Sequence, residues 1–288
     1  MEVWSHDRWS VPLPPGHKFP ISKYRLLRER VEGMVDVRES DAVPWEWLGA
    51  VHEAPLLARI RDGSMSVREQ RALGLPWSEL LVERGRRSVG GTLAAARRAL
   101  RHGVGMNLGG GTHHAGRDFA RGYCLFNDVA VAVARLRFEG LVRRVLVVDC
   151  DVHQGDGTAQ ILGPDPDAFT ISLHGARNYP FERIPSDLDI DLPSGTGDEE
   201  YLEAVSGALD AAPDADIAFY LAGADPWEGD RLGRLALSKA GLRARDELVL
   251  ARLRGIPTTV VLAGGYAPDV NDTVDINAAT VEAVLAVS

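Results

Sequence analysis

Five short apolar runs, Met106–Leu108, Val145–Val148, Phe169–Ser172, Ile217–Leu221 and Thr259–Leu262, alternate with longer segments whose apolar residues recur three and four apart. The helical segments are Ser88–Leu100, with Ser88 as a candidate N-cap, then Asn127–Arg137, Glu199–Leu209 and Ser238–Leu253, and Lys23–Val31 lies earlier in the chain. Alternation of this kind leaves the strands parallel, and a parallel sheet needs helices over both faces. The pattern predicts an α/β fold: a single-domain open parallel sheet with helices on both faces, spanning residues 1–288. The Pro-rich stretch at 11–20 reads as an entry loop, because the helical pattern from Lys23 comes directly after it.

The residues at the end of each apolar run narrow the chemistry. Met106–Leu108 empties into GGGTHH, Val145–Val148 into DCDVHQGD, Phe169–Ser172 into LHG, Ile217–Leu221 into AGAD and Thr259–Leu262 into AGGY. Open α/β sheets bind ligands outside the carboxyl ends of their strands, so these residues fall where a site belongs. Asp151 and His153 are two apart and point to the same side of extended backbone, as does Asp149. Asp225, which alone would read as an Asx turn before Pro226, completes a set of two carboxylates and an imidazole. Three protein ligands leave a position for water, the catalytic arrangement for zinc, whereas structural sites are closed by four. Iron(II) suits the same donors.

A hydrolase at such a centre needs a base for water and an acid for the leaving group. The tandem His113 and His114 supply two imidazoles, and Asp149 and Asp156 are available to orient them. Either histidine could be the base. Tyr266, after a glycine turn, can donate to a developing oxyanion opposite the metal.

Composition bounds the partners. Hydrophobic residues make up 45% of 288 positions and the net charge is −9, with no basic footprint for nucleic acid. That acidity tolerates a cationic substrate. Two cysteines, Cys124 and Cys150, make no disulfide framework, which points to a reducing cytoplasm. The N-terminus has no signal-peptide pattern, and no apolar run of about 18 residues is present to span a membrane.

GGGTHHA at 109–115, VVDCDVHQGDGTA at 147–159, ISLHG at 171–175, LAGADP at 221–226 and AGGYA at 263–267 resemble the histone deacetylase superfamily, with its arginase–deacetylase fold. The segments at 12–31, 174–202 and 225–242 resemble its bacterial class IV-like branch, so the likeness covers nearly the whole chain in order. The resemblance implies a zinc-dependent deacylase acting on an acylated lysine peptide or a small acylated amine such as an acetylated polyamine. It makes Asp151, His153 and Asp225 the metal ligands, His113 and His114 the catalytic tandem histidines with Asp149 and Asp156 as their carboxylate partners, and Tyr266 the transition-state tyrosine. It further implies a potassium site at Asp149, Asp151, His153, Ser172 and Leu173, a substrate tunnel lined by Gly122 and Tyr123, and Arg25 beneath the metal at a product exit. Tyr179 and Phe181 are alternatives for the opposite tunnel wall. Gln154 stands where many class I members carry His, and Asp156 where class IV relatives often carry Asn; an Asp there favours a protonated His114. Two other readings stand beside this one. A two-manganese arginase-like enzyme needs further carboxylates after Asp225, where Pro226 and Trp227 stand, and a catalytically silent acyl-ligand binding protein would be expected to have lost part of this set.

Overall fold

A computed structural model describes residues 1–288. The strands are β1 (Glu2–Ser5), β2 (Asp36–Glu39), β3 (Val104–Asn107), β4 (Val145–Asp149), β5 (Ala168–Gly175), β6 (Leu188–Leu192), β7 (Ile217–Leu221) and β8 (Thr258–Val261). The helices are α1 (Lys23–Val31), α2 (Trp45–Leu48), α3 (Ala54–Asp62), α4 (Val67–Leu73), α5 (Glu79–His102), α6 (Asp128–Phe138), α7 (Asp156–Leu162), α8 (Asp198–Asp210), α9 (Lys239–Arg252) and α10 (Val270–Leu285). All eight strands form one parallel sheet in the order β2-β1-β3-β8-β7-β4-β5-β6.

Period-two alternation sorts the strand residues onto two cores. Along β4, Val145 and Val147 enter one core while Leu146 and Val148 enter the other. Along β7, Ile217, Phe219 and Leu221 face the first, and Ala218 and Tyr220 the second. The first core is closed by α3, α5 and α6, the second by α1, α8, α9 and α10. Burial on both faces is why these strands read as continuous apolar runs.

The helix expected from Ser88 is longer. It starts at Glu79, where Ser78 caps it by accepting from Leu81 N at 3.1 Å, and Ser88 is an interior residue. Ser88 contributes its main-chain oxygen, which accepts from Asn107 Nδ2 at 3.1 Å and so ties α5 to the end of β3.

Register brings the functional strand ends level. Asp149, the last residue of β4, pairs with Ser172 of β5 and Leu221 of β7. Leu221 pairs with Val261 of β8, which in turn pairs with Asn107 of β3. The neighbours β4 and β7 connect in opposite directions across the sheet, β4 to β5 and β7 to β8, a reversal of strand order of the kind that opens a crevice at the carboxyl edge.

Candidate active site

At that edge lies a cavity of about 620 Å³. On its floor, the segment after β4 and the segment after β7 bring Asp151, His153 and Asp225 together, all buried, with their ligand-type atoms within 4.8 Å of one another. His153 Nδ1 is 2.9 Å from Asp151 Oδ1 and 3.3 Å from Asp225 Oδ2. The outer oxygens are oriented by main-chain donors: Gly264 N donates to Asp151 Oδ2 at 2.8 Å, and Val152 N to Asp225 Oδ1 at 2.9 Å. Asp225 Oδ2 is buried without a hydrogen-bond partner. A Cβ on Gly264 would stand 2.0 Å from that atom and 2.5 Å from Asp151 Oδ2, so a glycine is needed to leave this space.

The charges at the floor are mismatched without a cation. Burial, and then the neighbouring Asp151, push the Asp225 carboxyl up to about 7. Burial opposes charge on His153, yet its hydrogen bond with Asp151 and the close carboxylates of Asp151 and Asp225 outweigh it and lift the imidazole to about 10. Two buried carboxylates and an imidazole therefore compete for protons where a divalent ion would satisfy all three. One imidazole nitrogen and two carboxylates suit zinc or iron(II), and the orphaned Asp225 Oδ2 and the glycine cradle fit such an ion.

Two histidine–aspartate pairs flank this centre. His113 Nδ1 lies 2.7 Å from Asp149 Oδ2, and its Nε2 is 3.8 Å from Asp151 Oδ1. Burial would lower the His113 pKa, but Asp149 and Asp151 carry it to about 9. His114 Nδ1 bonds to Asp156 Oδ1 at the start of α7. Burial and the neighbouring His113 hold His114 down at about 4 despite that carboxylate, whose other oxygen accepts from the Arg121 guanidinium. Asp156 does pull His114 toward the protonated form, as expected, but burial and the charge of His113 outweigh it.

The glycines before these histidines work in three dimensions. Gly110 and Gly111 have φ of 75° and 72°, a region open to glycine, and Gly111 packs so close to Ala263 that a Cβ would come within 2.7 Å. Asp128 gathers the loop by accepting from Gly111 N, Thr112 N and the Thr112 and Thr92 hydroxyls. His52 links the loop to α6: its Nδ1–H donates to Gly116 O at 2.7 Å, and its Nε2 accepts from Asn127 N at 3.0 Å.

Aromatic rings wall the cavity. The Tyr123 and Tyr266 centroids are 5.7 Å apart, and Tyr179 stands edge-on to His114 at 5.0 Å. Phe181 lies farther out, 86% exposed at the mouth, so Tyr179 forms the inner wall and Phe181 the rim. Gly122 (φ 57°) lies against His114, where a Cβ would meet Cδ2 at 2.5 Å. Burial, and then the charges of Asp151 and Asp225, push the Tyr266 phenol well above its ordinary pKa, so it remains a donor at neutral pH.

Arg25 is not brought to this site. It lies on the outer face of α1, its side chain 59% exposed and ion-paired with Glu29. The buried cation of α1 is Lys23, two residues earlier, an offset invisible without the helix's rotation. Lys23 Nζ donates to the carbonyls of Ala263 and Gly265, at 3.3 and 3.4 Å, and lies 5.5 Å from the Tyr266 ring centre. Asp230 holds the same turn by accepting from Tyr266 N at 2.6 Å. Sequence reasoning missed Lys23, Asp230, Arg121 and His52 as site supports. Only Asp230 carried a signal, as the second aspartate of GADPWEGD. Ser172, expected near a monovalent cation, bonds through Oγ to His174 Nδ1 at 2.9 Å and stands opposite Asp149.

Fold and site together define a parallel α/β protein of the arginase–deacetylase type, with its polar centre at the carboxyl edge of the sheet. A family model described as the histone deacetylase domain matches residues 17–283, and the chain belongs to that family. An uncharacterized protein of Picosynechococcus sp. is 40% identical over 279 residues, covering 93% of each chain. Histone deacetylase 2 of Arabidopsis thaliana is 35% identical over 189 residues, 63% of this chain and 49% of its own length. Among solved structures, a histone deacetylase homologue complexed with SAHA superposes with a TM-score of 0.81 at 22% identity, over 98% of this chain and 83% of that one. No helix is long and apolar enough to cross a membrane.

Proposed function

We propose that this chain is a metal-dependent deacylase, its catalytic domain spanning residues 1–288, that hydrolyses the amide of an acyl-lysine or a related acylated amine. The observation that carries the reading is the convergence of Asp151, His153 and Asp225 on the floor of a cavity walled by His113, His114, Tyr123, Tyr179 and Tyr266. A divalent ion bound by those three ligands, zinc foremost and iron(II) as the alternative, supplies Lewis acidity that polarises the amide carbonyl and acidifies water. A potassium ion at Asp149, Asp151, His153, Ser172 and Leu173 belongs to the same proposal by resemblance.

The chain's own groups do the rest. Tyr123, Tyr179 and Gly122 hold the acyl-amine stem between aromatic faces and aim its carbonyl at the floor. Tyr266 donates from its hydroxyl to the carbonyl oxygen as negative charge grows there. His113 and His114, oriented by Asp149 and Asp156, divide the proton work: one takes a proton from the attacking water, and one gives a proton to the nitrogen as the C–N bond breaks. The products are a carboxylic acid and a free amine. His114, held neutral beside the cavity, suits the base, and His113, held protonated between two carboxylates, suits the acid.

The test is a panel of acetyl-lysine, longer acyl-lysine, acetylated polyamine and small-molecule amides, assayed with zinc-loaded protein. Release of free amine from at least one acyl-lysine is expected, together with inhibition by hydroxamates on a linear linker. No turnover of any amide by protein carrying its metal contradicts the reading.

A further inference from the structure

The cavity mouth carries a charge opposite to that of the chain. The protein as a whole has a net charge of −9. Yet the side chains lining the cavity include Arg71, Arg121, Arg177 and Arg234, and no carboxylate lines it above the floor. Arg121 is committed to Asp156. The other three come from separate parts of the fold: Arg71 from α4, Arg177 from the segment after β5, and Arg234 from the segment before α9. All three are exposed, and none has a carboxylate within 4.0 Å. Away from the cavity, Arg25 is paired with Glu29 and Arg243 with Glu247 and Glu282, while Arg68, Arg101 and Arg254 are exposed without a carboxylate partner but stand apart from one another in the sequence and outside the cavity lining.

A mouth lined by one sign of charge concentrates ligands of the other sign and speeds their arrival. It also disfavours like-charged partners, and guanidinium groups match carboxylates in planar, two-point fashion. The exposed Phe181 ring, in the same loop as Arg177, adds an apolar contact just outside the tunnel.

Resting on the deacylase reading, we propose that the substrate carries negative charge on the amine side of the amide: an acylated amine with carboxylates outside the tunnel, read by Arg71, Arg177 and Arg234. Polycationic acyl amines, such as lysine-rich tails and acetylated polyamines, are disfavoured by the same three residues.

The experiment uses acetyl-lysine peptides of one length with acidic, neutral or basic flanks, alongside free Nε-acetyl-lysine and its carboxamide. Metal-loaded wild-type protein is compared with R71Q/R177Q/R234Q. The kcat/KM of the acidic peptide should exceed that of the basic peptide by about 10- to 100-fold at low salt, mostly through KM, and the gap should shrink to about threefold at about 0.5 M salt. In the triple variant the ranking should collapse at low salt as well. An advantage for the acidic peptide assigns the carboxylates to neighbouring residues, and an advantage confined to free acetyl-lysine over its carboxamide assigns them to a small molecule. Equal rates across both the peptides and the free acetyl-lysine pair, a preference for basic flanks, or an acidic preference that survives in the triple variant overturns the proposal. Fluorescence anisotropy with Tyr266→Phe protein reads the same ranking as Kd, so it stands or falls even where no peptide is turned over. The deacylase reading fails separately, if metal-loaded wild type cleaves none of these amides.

Discussion

The transition-state role proposed for Tyr266 comes down to one hydroxyl. Its ring is buried, its main-chain N is fixed by Asp230, and its turn is tied by Lys23 to α1. A donor so placed acts mainly when charge develops on the carbonyl oxygen, and its loss lowers kcat and kcat/KM together. Tyr266→Phe should stay folded and keep its metal while losing about a hundred- to a thousandfold in kcat; steady-state kinetics at confirmed metal content that show less than about a threefold loss would refute the role. His52 bears on pH instead. Burial, only partly offset by its bond to Gly116 O, lowers its pKa from 6.5 to about 4 in the folded chain. The unfolded chain therefore binds the proton first as pH falls. The stability tied to neutral His52 is complete above 6.5 and is lost progressively down to about 4, up to about 3 kcal/mol in all. Urea unfolding of wild type and His52→Gln at about pH 7 and about pH 5 should show the larger fall in wild type. Equal falls in the two proteins exclude His52 as the source.

At the scale of elements, the site depends on how strand ends are supported from below. Arg245 of α9 is fully buried, held by Asp246 at 2.8 Å, and donates to Gly223 O at 2.6 Å directly behind the segment that carries Asp225. Asp246 also accepts from the hydroxyls of Tyr220 and Thr280, joining α9 to β7 and α10. Arg245→Met leaves Asp246 buried without its cation and should cost about 3–5 kcal/mol of stability, read by urea unfolding; a loss below about 1 kcal/mol would show that the network carries little. The central strands and their polar ends were legible in the sequence, because a strand buried on both faces is a continuous apolar run and a polar residue at its end stands out. The edge strands were not. β2 is Asp-Val-Arg-Glu, with one apolar residue, and β6 alternates Leu-Asp-Ile-Asp-Leu between loops. α10 escaped notice because its buried face includes Thr273, Asn277 and Thr280, polar residues whose burial only the tertiary structure reveals. Lys23 and Arg121 escaped for a related reason: each meets its partner across the fold, Ala263 and Asp156 respectively, and no local pattern records such a meeting.

Across the whole molecule, the parallel sheet brings five strand ends to one edge, and each delivers part of the centre. β3 leads to the two histidines, β4 to Asp151 and His153, β5 to Ser172, β7 to Asp225 and β8 to Tyr266. Two apolar cores hold those ends in register, which is how Asp151 and Asp225, 74 residues apart in sequence, share one floor. The central claim is that this floor binds one divalent ion and that amide hydrolysis depends on it. The direct measurement is metal content and acetyl-lysine hydrolysis of wild type and Asp225→Ala, each stripped by chelator and then titrated with zinc. Wild type should take up about one ion per chain and regain activity in step with it, while Asp225→Ala should recover neither. Full activity in stripped wild type, or full zinc occupancy in Asp225→Ala, would contradict that claim.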